Sequence, residues 1–348
     1  MKTNTTCSHD EASVRGENQT ANYHFINLAL ACLRFGPALI LLILAMTLGL
    51  SSPYFFTGRN LANVLAQTAA IAVLAMGQYL VILTRGIDLS VGSVLALSSV
   101  VGALVYREVH LGACVIATMI ATGVAAGFVN GFVYVWGRLP HPFIITLATL
   151  SIAKGLALEL AGGAALPGMP GVILFLGGGS ICGVPASAFV AGGLAVVLAY
   201  GSRCVVWGRW IYAVGGNPDA ASQVGIPVKG VLLSVYMISG AAAGIGAVLI
   251  SGRTAAGSPL FGNLAELDSI AAVIIGGASF LGGRGHIGNA LTGALMIGVI
   301  RNALNLLNVD IFFQLIAIGV IIVFAVEGDV LRARLEERFR VIQSMRVK

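Results

Sequence analysis

The sequence predicts an all-α, polytopic membrane protein of about ten transmembrane helices, with an inverted repeat between its halves and one short helix on the cytoplasmic side. Three observations predict this class. The 348 residues are 57% hydrophobic and 10% charged, with a mean hydropathy of +0.94. A soluble domain carries roughly 25% charged residues. The apolar residues gather in blocks near 35–52, 61–84, 89–106, 111–136, 143–161, 184–201, 228–250, 267–283, 287–306 and 309–326. Most approach the roughly 20 residues that a helix needs to cross a bilayer. Finally, the basic residues are shared unevenly between the loops on the two sides.

Taken in order, residues 1–33 are polar and lack the basic start, apolar core and small-residue cleavage site of a signal peptide, so they read as a cytoplasmic tail. Residues 34–327 form the membrane domain. An even number of spans puts both termini on one side, and the charge bias chooses it. Fifteen of the 20 basic residues, among them Arg85, Arg138, Arg203, Arg209, Lys229 and Arg284, fall on the tail side, against Arg59, Arg107, Arg253 and Arg301 opposite, with Lys154 inside the fifth block. Positive residues concentrate in the cytoplasm, which places both tails there. The tail at 328–348 alternates Arg332, Arg334, Arg338 and Arg340 with Leu331, Leu335 and Phe339, a pattern for anionic lipid or for a solvated positive end.

Gly contributes 46 residues, which suits closely packed membrane helices. The net charge of +6 is spread over loops and tails without forming a stripe, so nucleic acid is not an expected partner. Cys7, Cys32, Cys114, Cys182 and Cys204 lack metal or redox spacing. The sequence has no phosphate-binding Gly-x-x-x-x-Gly-Lys-Ser/Thr loop, and His9, His24, His110, His141 and His286 form no HExxH motif. No catalytic residue, cofactor site or metal site is expected in this chain.

The stretch that organises the rest is Gly215 to Pro227, polar and set between two apolar blocks. Asn217 is a favoured N-cap, Pro218 suits the first turn, Gly225 suits a left-handed C′ position and Pro227 blocks continuation. Such a helix is about 10 Å long, too short to span a bilayer of roughly 30 Å. Trp207, Trp210 and Tyr212, with Arg203 and Arg209, mark a membrane interface just before it.

The run Asp219-Ala220-Ala221-x-x-x-Gly225 resembles the EAA-x-x-x-G signature of ABC importer permeases, with Asp in place of Glu. Residues 208–217 (Gly-Arg-Trp-Ile-Tyr-Ala-Val-Gly-Gly-Asn) and 86–93 (Gly-Ile-Asp-Leu-Ser-Val-Gly-Ser) are similar to the ribose/xylose/galactoside members of that group. The similarity runs from about Arg34 to Glu327. It implies a permease subunit that imports a monosaccharide across a bacterial inner membrane. The short helix, within a loop at 202–228, would be the coupling helix, presenting Gly216, Asn217, Asp219, Ala220, Ala221, Gly225, Ile226 and Pro227 to an ATP-binding subunit. The resemblance further implies that ATP and Mg bind on partner subunits, that a periplasmic sugar-binding protein delivers the solute, and that a second permease subunit, identical or related, completes the pore. A branched-chain amino acid or nucleoside permease of the same superfamily is the nearest alternative. An ion-coupled secondary transporter is a more distant one, expected to carry more pathway carboxylates or histidines.

Polar groups within apolar blocks face a bundle interior or a watery path. Gln67, Gln78, Asp88, Asn130, Thr146, Thr149, Asn302, Asn305 and Gln314 are the pathway candidates, and their amides and hydroxyls suit a neutral polyol. Interhelical hydrogen bonding is the competing role for each. Asp88 either caps the helix that follows or belongs to a discontinuous helix lining the path. Gly86-Ile87-Asp88-Leu89-Ser90-Val91 has an echo in Glu266-Leu267-Asp268-Ser269-Ile270, and this carries the expected inverted repeat. Lys154 reads as structural pairing near the outer leaflet, and Glu159 stays unassigned.

Overall fold

The computed structural model describes residues 38–50, 52–310, 312–321, 323–324 and 327–328. The expected tail at 1–33, and the one at 328–348 apart from Gly328, lie outside the described residues. Helices follow one another as α1 (Ala38–Leu50), α2 (Gly58–Leu83), α3 (Val91–Glu108), α4 (Gly112–Trp136), α5 (Phe143–Ala161), α6 (Gly171–Gly178), α7 (Ala186–Cys204), α8 (Val206–Gly216), α9 (Pro218–Gln223), α10 (Val228–Thr254), α11 (Ala265–Ile275), α12 (Ile287–Leu306) and α13 (Phe312–Ile321). Seven of them, α2, α3, α4, α5, α7, α10 and α12, are long and apolar enough to cross a membrane. The chain is a multi-pass helical membrane protein.

α2 is the buried axis, with Leu74, Met76, Tyr79 and Leu80 withdrawn from the surface; α10, α12, α11 and α7 pack around it. α4, α5 and α7 turn most of their length outward. The most extensive packing joins α4 to α10 through Gly123-x-x-x-Gly127 and Gly240-x-x-x-Gly244. A Cβ on Gly123 would stand 2.0 Å from the Gly240 carbonyl oxygen, and one on Gly240 would stand 2.0 Å from that of Gly123. Small residues repeated every fourth position let two membrane helices touch main chain to main chain.

One expected span and one expected connection differ from the sequence expectation. The block at 267–283 is helical only to Ile275: Gly277 takes φ +88°, and the Ala278 N–H turns back to the Val273 carbonyl at 3.2 Å. Left-handed glycine with such a return bond ends a helix. α11 is therefore about 16 Å long, half of a bilayer core. Conversely, 162–183, which hydropathy leaves as a connector, folds into α6 and two short ladders. β1 (Leu166–Pro167) pairs antiparallel with β4 (Ala256–Gly257), Leu166 opposite Gly257. β2 (Ser180–Ile181) pairs with β3 (Val184–Pro185) as a hairpin.

Candidate functional site

α9 is capped at both ends by its own sequence. The Asn217 side-chain oxygen accepts from the N–H groups of Asp219 and Ala220, both at 3.0 Å, and Pro218 opens the first turn. At the other end Gly225 has φ +83°, its N–H donates to Ser222 O at 3.0 Å, and the Ile226 N–H donates to Ala221 O at 3.1 Å. This is the paired closure that a left-handed C′ residue permits. Ala221 is buried and Ile226 packs on the core, so they seat the helix. Asp219, Ala220, Ser222 and Gln223 stay exposed, and Val224 is 76% exposed.

α8 carries the aromatic residues that fix this seat. The Trp207 indole donates to Ser234 Oγ on α10 at 2.8 Å. The Tyr212 hydroxyl donates to the Gly285 carbonyl at 2.9 Å and lies 3.0 Å from the Tyr79 hydroxyl on α2. Its only proton is then committed, so Tyr79 is the donor to Tyr212. Trp207 and Tyr212 thus join helices as well as lying where an interface was expected.

Five expected pathway residues converge at the break between α2 and α3. One Asp88 carboxylate oxygen accepts from the Ser90 N–H at 3.0 Å and the Ser90 hydroxyl at 2.6 Å, and the other from the Ser239 hydroxyl on α10 at 2.9 Å. Asn130 on α4 donates to Ser90 Oγ at 2.9 Å, and its amide oxygen accepts from Thr149 on α5 at 2.6 Å. Thr146, one turn earlier on α5, lies 3.3 Å from the Ile87 carbonyl. The Gln78 amide, oriented to satisfy both its groups, donates to the Asp88 carbonyl and accepts from the Asp88 N–H, each at 3.1 Å. Asp88 therefore makes a turn onto Ser90, the residue before α3, and with its second oxygen ties that turn to α10. The Ser90 N–H is a fixed donor to the carboxyl group, and the two serine hydroxyls can turn to meet it.

The remaining candidates lie elsewhere. Asn302 on α12 exchanges hydrogen bonds with Asn60 on α2, at 2.8 and 2.9 Å. Gln314 donates to Asn305 Oδ1 and to the Val309 carbonyl, both at 2.9 Å. Gln67 is half-buried and finds no hydrogen-bond partner among the described residues. Lys154 donates to the Pro259 carbonyl at 2.8 Å, a structural role, and Glu159 is exposed. None of the nine candidates lines the cleft of about 220 Å³ between α2 and the α6–β3 segment, where Asn63, Ser180 and Arg253 supply the polar side chains.

Sequence reasoning missed Ser90 and Ser239 as members of the central network, and Asn60 as the partner of Asn302. It also assigned Arg301 to the outer surface. Arg301 lies within α12 and forms an ion pair with Asp268 of α11 at 2.6 Å. A salt bridge between two apolar helices is visible only once both helices are placed.

The family described as the permease component of branched-chain amino acid transport systems matches residues 60–326. The chain belongs to that family. It is a transport subunit of the ABC permease type and not an enzyme. Among similar proteins, the D-allose transport system permease protein of Escherichia coli K12 is 36% identical over 91% of this chain and 98% of its own length. The ribose import permease protein of Bacillus subtilis is 39% identical over 85% of this chain and 92% of its own. That of Haemophilus influenzae is 33% identical over 90% and 97%. No solved structure matches the chain.

Proposed function

We propose that this chain is the membrane subunit of an ATP-driven importer that carries a ribose-like monosaccharide into a bacterial cell, with α9 as the helix that docks an ATP-binding subunit. The observation that carries this reading is α9 itself, closed at both ends by its own caps and presenting Asp219, Ala220 and Val224 outward. ATP and Mg then belong to the partner subunits, a periplasmic sugar-binding protein delivers the solute, and a second permease subunit completes the pore. The charge bias supports an inner-membrane arrangement with both termini cytoplasmic. For ten spans, α1, α11 and α13 would complete the set. In the inverted repeat, the break before α3 and the short α11 would be counterparts.

The family description names branched-chain amino acids, whereas relatives matched over most of their length are named for ribose and D-allose. Full-length similarity favours the sugar. Uptake of labelled D-ribose, D-allose and L-leucine by cells with and without the intact gene tests the choice. The expected outcome is gene-dependent sugar uptake that stops when the cognate ATP-binding subunit is deleted. Gene-dependent leucine uptake alone, or sugar uptake that survives that deletion and stops with a protonophore, overturns it.

A further inference from the structure

Arg85 occupies the left-handed region, φ +64°, at the residue where α2 gives way to the break before α3. A long, non-glycine residue is uncommon there. The turn aims its guanidinium across the cytoplasmic end of the bundle. Nε donates to the Gly215 carbonyl at 2.7 Å, and a terminal nitrogen donates to the Gly216 carbonyl. These are carbonyls at the C-terminus of α8, which lack helical partners and stand at its negative end. Among the described residues Arg85 pairs with no carboxylate, so both arms of the planar fork engage main chain.

The contact is reinforced from both sides. Gly215 presses so close to Leu83 that a Cβ would stand 1.9 Å from the Leu83 carbonyl oxygen. That oxygen also accepts from the Gly283 N–H of the α11–α12 connection at 2.9 Å. The next residue after Gly216 is Asn217, the N-cap of α9. Three residues after Arg85 is Asp88, which gathers α10 directly and α4 and α5 through Ser90 and Asn130.

We propose that Arg85 is a positioning residue that transmits displacement of α9 to the Asp88 network, so that docking at the cytoplasmic face is felt at the joint between α2 and α3. This rests on the reading of α9 as the docking helix. Arg85 itself touches neither solute nor nucleotide.

The test uses the complete transporter, purified through a tag on this chain and placed in liposomes with its binding protein. Copurification, ATP hydrolysis and uptake of labelled D-ribose or D-allose are read together. In Arg85→Gln, copurification is retained and ATP hydrolysis continues, while sugar moved per ATP falls by about tenfold, the scale of losing a charge-assisted hydrogen bond. Arg85→Lys recovers part of the ratio, since an ammonium satisfies two diverging carbonyls less well than a fork. An unchanged ratio in Arg85→Gln overturns the proposal. So does loss of assembly in step with uptake in both variants, which would make Arg85 a purely structural clasp. Asp219→Lys in the same assay separates the underlying reading: if its copurification and uptake match the unaltered protein, α9 is not the docking helix, whatever Arg85 does.

Discussion

Asn60 and Asn302 exchange two amide hydrogen bonds, one in each direction, between the first turn of α2 and the last turns of α12. Each side chain uses a donor and an acceptor on the other, so neither is satisfied alone. Replacing Asn302 by Leu removes both bonds and strands the Asn60 amide oxygen, while the Asn60 amide nitrogen keeps its bond to the Phe55 carbonyl at 2.9 Å, for an expected loss of about 1 kcal/mol, within the range of interhelical polar contacts. Relative to Asn60→Leu alone, which also gives up the bond to the Phe55 carbonyl, the double variant should cost less than the sum of the two single losses, because neither amide is then left facing an apolar side chain. Thermal unfolding of the single and double variants in detergent checks this. Additive losses would show that the pair is not coupled.

Asp88→Ala strands three donors, the Ser90 N–H and the Ser90 and Ser239 hydroxyls, in a fully buried site. At about 1–3 kcal/mol for a buried unsatisfied group, the α2–α3 break should loosen. The expected outcome is faster protease cleavage between Leu83 and Val91 and a lower yield of monodisperse protein. Asp88→Asn keeps the volume and one acceptor and should fall between. Cleavage rates in Asp88→Ala equal to those of the unaltered protein would mean that the network does not hold the break.

Gly225 has φ +83° and open space where a Cβ would lie, so substitution there is opposed by backbone conformation alone. A side chain costs about 1–2 kcal/mol in that region, least for Asn and more for a β-branched residue. Gly225→Asn should retain uptake, whereas Gly225→Val should fray α9 and lose both uptake and copurification at normal expression. Transport and copurification assays on both variants decide it. Equal uptake in the two variants would show that the cap is not needed.

Cys182 lies exposed in the β2–β3 hairpin, and Ser222 lies exposed on α9. With the other cysteines replaced by serine, a membrane-impermeant maleimide added to intact cells should modify Cys182. It should spare Ser222→Cys until the cells are opened. The reverse pattern would invert the topology.

What the sequence reveals depends on how local the determinant is. α9 was legible to the residue because Asn217 and Gly225 act on their own turns. The long helices were legible because hydropathy is a property of consecutive residues. Gln78, Asp88, Asn130, Thr146 and Thr149 stood out as polar groups in apolar runs, yet nothing local indicated that they meet. Ser239 carried no signal, since a serine in a membrane helix can equally satisfy its own preceding turn. Asp268 and Arg301 are separated by 33 positions, too far for sequence spacing to pair them. α6 escapes a hydropathy reading because eight residues fall below any spanning length, although backbone contact with α10 holds it: a Cβ on Gly177 would stand 2.3 Å from the Leu249 carbonyl oxygen.

Where Gly123 and Gly240 meet, only main chain fills the gap. A junction built from side chains can relax by changing rotamer; one built from two carbonyls and two α-carbons has no such reserve. α4 and α10 should therefore travel as a single plank, their separation indifferent to lateral pressure from the lipid. Any rocking of the bundle has to be absorbed at seams packed through side chains. The main-chain seam between α4 and α10 thus becomes a frame of reference for the helices around it.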